Sequence, residues 1–97
     1  MEETGIKTAV IQEIREIAKK RRVQKVILFG SRARGDYERA SDIDLAVLGG
    51  NDILFALDVE EEVATPLKFD VINLNGNVQK ELKQSIQSEG IVLYEEI

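Results

Sequence analysis

The segment Ser41-Asp42-Ile43-Asp44-Leu45-Ala46-Val47 puts aliphatic residues at 43, 45 and 47 and carboxylates at 42 and 44. That alternation has the period of a β-strand with one buried face. Ile43, Leu45 and Val47 form the buried face, and Asp42 and Asp44 project together from the other, roughly 6.5 Å apart along the backbone. At that spacing and an effective dielectric near 20, two anions repel by about 2.5 kcal/mol. Strands also disfavour aspartate intrinsically. The chain must therefore fold around a strand carrying an unfavourable pair of charges, which a fold avoids unless a cation offsets them.

The flanking patterns supply the rest of a small α/β domain. Ile6, Val10, Ile14 and Ile17 form one apolar stripe of a helix over roughly 5–20. Val23 to Phe29 is apolar and partly β-branched, the composition of a strand, and it stops at Gly30-Ser31. Residues 31–38 form a short helix or turn. Gly49-Gly50-Asn51-Asp52 marks a turn, with Asp52 placed to cap a helix over 53–63 that carries Ile53, Leu54, Leu57 and Val63. Leu67 to Leu74 alternates again. Val78, Leu82 and Ile86 give a last helix capped by Gly90, and Ile91 to Tyr94 adds a short strand that, with Ile97, is open to packing on the domain or on a partner, the domain being the favoured reading. The expected architecture is one α/β domain over 1–97, a sheet covered by helices.

Residue types that are missing narrow the chemistry. With no Cys and no His among 97 residues, disulfide scaffolds, thiolate zinc sites, serine–histidine triads and imidazole bases are excluded. The net charge is -5, yet residues 1–40 carry +4 and residues 41–97 carry -9. Lys19-Lys20-Arg21-Arg22 reads as a solvated helix end. The acidic balance and the lack of aromatics among the basic residues argue against a nucleic-acid partner. The longest apolar run, Ile53 to Leu57, is far too short for a membrane span, and Met1-Glu2-Glu3 is acidic where a secretion signal is basic. The cytoplasm is the expected location.

Two further features bear on a site. Gly30-Ser31-Arg32-Ala33-Arg34-Gly35 follows a strand but lacks the Lys-Ser/Thr of a P-loop. Its glycine permits close approach of an oxyanion, Ser31 offers a hydroxyl and an N–H, and Arg32 and Arg34 offer charge-assisted contacts. The same dipeptide also serves as an ordinary turn. Asp70 lies mid-strand between Phe69 and Val71. If its strand neighbours that of Asp42 and Asp44, the three carboxylates make a hard-oxygen site for Mg²⁺ or Mn²⁺, with Asp70 the candidate general base. On spacing alone the trio fits either that site or the polar edges of exposed sheet faces.

Gly30-Ser31, ten residues, then Asp42-Ile43-Asp44 resembles the G-S-x10-D-x-D signature of the DNA polymerase β-like nucleotidyltransferases, and the string GSRARGDYERASDIDLAVLG resembles their minimal nucleotidyltransferase branch. Asp70 matches the third carboxylate of that pattern. The resemblance implies a small mixed sheet flanked by helices. It implies that Gly30 and Ser31 bind the triphosphate of ATP, with Arg32 and Arg34 in the matched string. It implies that Asp42, Asp44 and Asp70 bind two Mg²⁺ ions. It also implies a HEPN-domain toxin as partner, for which such chains act as antitoxin, some by transferring AMP to a toxin tyrosine. The alternative is an antitoxin that neutralises its partner by docking alone. The acceptor-binding surface would come from that partner or from a second copy in a homo-oligomer.

Overall fold

The computed structural model describes residues 4–96 and contains eight elements in strict alternation: α1 (Thr8–Lys20), β1 (Lys25–Phe29), α2 (Ser31–Arg34), β2 (Ile43–Leu48), α3 (Asp52–Glu62), β3 (Phe69–Asn73), α4 (Lys80–Glu89) and β4 (Ile91–Glu95). The strands form one mixed sheet in the order β3-β2-β1-β4. β1 pairs antiparallel with β2 and β4, and β2 pairs parallel with β3. Parallel neighbours need a crossover connection, and α3 provides it.

The two faces of the sheet are covered unequally. On one, the stripe Ile6, Val10, Ile14 and Ile17 packs with Phe55 and Val59 of α3 against Val26, Leu28, Ile43, Leu45 and Val47. On the other, Ile86 of α4 closes over Ile27 and Ala46. The alternation at 43, 45 and 47 therefore buries as expected, and the opposite face of β2 is buried only at Ala46, under α4. The C-terminal strand packs on the domain, with Leu93 buried. Ile97 and the acidic Met1-Glu2-Glu3 lie outside the described residues.

Three local expectations need correction. Asn51, not Asp52, caps α3, its side chain accepting from the Leu54 N–H at 3.1 Å. α3 also faces differently. Phe55, Asp58 and Val59 turn inward, while Ile53 and Leu57 are 70% and 50% exposed. The segment is apolar on more than one side, so periodicity alone did not settle which side packs. Gly90 does end α4, donating to Ile86 O, but with extended backbone rather than a left-handed cap. A Cβ there would collide with the Ile86 carbonyl and the Ile27 side chain.

The basic run at the end of α1 is partly used within the chain. Arg21 Nε donates to Asp58 Oδ2 at 2.6 Å, and Lys20 Nζ lies 3.4 Å from Asp58 and 3.2 Å from Glu62. These pairs join α1 to α3. Among the described residues no helix is long and apolar enough to cross a membrane.

Candidate active site

Strand pairing brings the sequence-distant residues to one end of the sheet. β1 runs out at Phe29, directly opposite Asp44 near the start of β2, and the parallel register sets Asp44 opposite Asp70. Directly paired residues point to the same face. Asp44, Asp70 and Phe29 therefore share the α4 side of the sheet, and the Gly30-Ser31 turn follows Phe29 at once.

The turn and the strand touch. Gly30 has φ +75° and ψ -155°, a region essentially open only to glycine. A Cβ at Gly30 would collide with Asp44 Oδ2, so the carboxylate sits against the turn. Ser31 opens α2, where the first N–H groups of a helix have no acceptor within it.

The acids act on one another through their charges. Burial pushes the Asp44 carboxyl above its ordinary value, the neighbouring Asp70 and Asp42 carboxylates push it the same way, and Arg34 opposes them. Asp42 and Asp70 are exposed. As the side chains stand, no three acids among the described residues converge into a coordination shell. Mutual repulsion favours that spread. The donor chemistry nonetheless fits a hard divalent cation: three carboxylates at one corner of the sheet, all oxygen donors.

The two arginines divide. Arg34 is exposed, 3.2 Å from Asp36 and 3.5 Å from Glu89 of α4, and its charge reaches Asp44. Arg32 is 2% exposed. Its guanidinium donates to the carbonyls of Ser41, Thr4 and Arg39 at 3.0, 2.8 and 3.1 Å and stacks 4.8 Å over the Tyr37 ring. Arg32, expected to contact phosphate, has its donors turned to these carbonyls. Its donors hold the loop that delivers Asp42, and the side chain is buried away from the acids' solvent face.

Sequence reasoning missed the surface beside the acids. An open groove of about 450 Å³ extends from Asp42 and Asp70 past Lys68, Phe69 and Thr65 to Glu60 of α3. Lys68 was within reach of parity, since it alternates with Asp70. Glu60 was not, because its place depends on how α3 packs.

Comparison with known proteins agrees with this geometry. The family model described as polymerase beta, nucleotidyltransferase, matches residues 12–96. A Methanocaldococcus jannaschii protein, named as a candidate protein adenylyltransferase, is 36% identical in an 83-residue alignment that covers 75% of this chain and 80% of that protein. A crystal structure described as the toxin-antitoxin with AMP-PNP superposes with a TM-score of 0.69 at 25% identity, over 89% of this chain and 73% of that one. A mutant of the toxin-antitoxin MntA-HpeT shares the fold, with a TM-score of 0.69 at 23% identity over 89% and 73% of the two chains.

Proposed function

The chain belongs to the polymerase β nucleotidyltransferase family, and from that premise we propose that it transfers AMP from ATP to a hydroxyl of a partner protein, a tyrosine of a HEPN toxin, and so acts as an antitoxin. In this reading residues 1–97 form one nucleotidyltransferase domain. The observation that carries it is the contact between Asp44 and the Gly30-Ser31 turn, with Asp70 in register beside Asp44. The relative named for protein adenylylation and the toxin-antitoxin structure with AMP-PNP support the nucleotide and the partner.

The residues divide the work as follows. Gly30, lacking a side chain, lets the triphosphate approach the backbone, and Ser31 supplies an N–H and a hydroxyl to its oxygens. Arg34, exposed and paired with Asp36 and Glu89, offers a third, charge-assisted contact. Asp42, Asp44 and Asp70 would hold divalent ions, two Mg²⁺ or Mn²⁺, which neutralise phosphate charge when bound. Asp70, at the mouth of the groove, takes the proton of the acceptor hydroxyl. The acceptor oxygen then bonds to the α-phosphorus as the bond to pyrophosphate breaks, leaving AMP on the acceptor.

The test uses the chain with its HEPN partner, labelled ATP and Mg²⁺. Label should appear on the partner and fall by about a hundredfold or more in Asp42→Ala and Asp44→Ala. Neutralisation of the toxin that survives both substitutions would establish docking alone. Absence of label with the wild-type chain would overturn transfer to this partner.

A further inference from the structure

Two large aliphatic residues of α3 face solvent: Ile53 is 70% exposed and Leu57 50%. They lie about one turn apart, and with Ala56 and Val71 of β3 they line an open groove of about 380 Å³ bounded by Asp52 and Glu60. β3 is an edge strand, paired on one side only. Single exposed aliphatics are unremarkable, but a contiguous strip along an open sheet edge marks an interaction surface. Glu60 lines both this groove and the one that reaches Asp42 and Asp70, so the two surfaces meet at Glu60, at the β3 edge of the sheet.

Charge selects the occupant. α3 carries five acids and no base. Asp58 and Glu62 are engaged on the α1 flank by Arg21 and Lys20. Among the described residues no ion pair engages Asp52, Glu60 or Glu61. The strip is therefore apolar with an acidic rim. A second copy docking by two-fold symmetry would set acidic rim against acidic rim, which opposes self-association here.

We propose that this face of α3 docks the acceptor protein, through an apolar ridge flanked by Lys or Arg, and so delivers its hydroxyl along the groove to Asp42 and Asp70. The proposal deepens the reading that the acceptor is a protein and rests on it.

The experiment compares wild type, Leu57→Glu and the pair Glu60→Lys with Glu61→Lys, each with the HEPN partner used above. Leu57→Glu should weaken the Kd for the partner by about tenfold or more, as loss of a central apolar anchor does. The lysine pair should weaken it too, and wild-type affinity should fall as salt is raised. Melting temperature and ATP binding of the isolated Leu57→Glu chain should match wild type, which separates docking from folding and from the nucleotide site. Unchanged partner affinity in both variants would overturn the proposal while leaving adenylyl transfer standing. So would a wild-type dimer that Leu57→Glu splits, since the occupant would then be a second copy. A wild-type chain that neither binds nor labels the partner would remove the protein-acceptor reading and the docking with it.

Discussion

Gly30 and Asp44 lie fourteen positions apart, yet each explains the other. An aspartate inside an apolar strand is unfavourable, and a glycine at φ +75° and ψ -155° gives up backbone entropy. Together they leave a carboxylate lodged against a turn. Gly35 is the natural comparison. Its φ is also positive, at +94°, but a Cβ there meets nothing within 4 Å. Gly30→Ala should cost about 2–4 kcal/mol, combining the forbidden backbone region with displacement of Asp44, and should abolish transfer. Gly35→Ala should cost only about 1 kcal/mol and keep activity within a few-fold. Urea midpoints and transfer rates decide it, and equal effects at the two sites would mean that Asp44 is not seated on the turn. At this scale strand parity picked out Asp44, which lies inside β2, whereas Asp42 stands just before the first residue of that strand and its place depends on the loop. The fate of Arg32 was not legible. Its acceptors are the carbonyls of Thr4, Arg39 and Ser41, gathered only when the loop closes over the N-terminal segment.

Elements were easier to find than to orient. The stripe of α1 has one apolar side and so declares its buried face. α3 has apolar residues around much of its circumference; Phe55 and Val59 turn into the core, and Asp58 beside them meets Lys20 and Arg21 at the end of α1. The adjacency of Asp44 and Asp70 was conditional, since it required β2 and β3 to be neighbours, a matter of long-range pairing. The junction of α1 and α3 makes a pH prediction. The hydrogen bond from Arg21 holds the Asp58 carboxyl below its ordinary value. The ionised form is thus favoured in the folded chain. Its stabilisation is present above the ordinary aspartate value of about 3.9 and is lost as pH falls through the lowered folded value. Asp58→Asn should therefore lower the melting temperature at pH 7, and the gap from wild type should close in strong acid. A gap that stays constant down to pH 2 would show that the effect of the substitution is steric.

For the molecule as a whole, the sheet order matters more than any one contact. With β2 between β1 and β3, the end of one strand and the starts of two others meet at a single corner, and negative charge accumulates there. Asp44 bears the cost, since burial and its two acidic neighbours disfavour its ionised form in the folded chain. The chain gains stability from whatever cation the acids bind. Ligand at a hundred times its Kd adds about 2.7 kcal/mol, and for a domain this size each kcal/mol raises the melting temperature by about 4–8 °C. Mg²⁺ with ATP should thus raise the wild-type melting temperature by several degrees over NaCl at matched ionic strength, the comparison that removes simple screening of a chain with net charge -5. Asp44→Asn should behave oppositely in both conditions. Without metal it should melt at or above wild type, because the ionised carboxylate it replaces is opposed by burial, Asp70 and Asp42. With Mg²⁺ and ATP it should gain little. A metal-free Asp44→Asn chain that melts well below wild type would show that Asp44 is held for the fold. An undiminished rise in that variant would place the cation elsewhere.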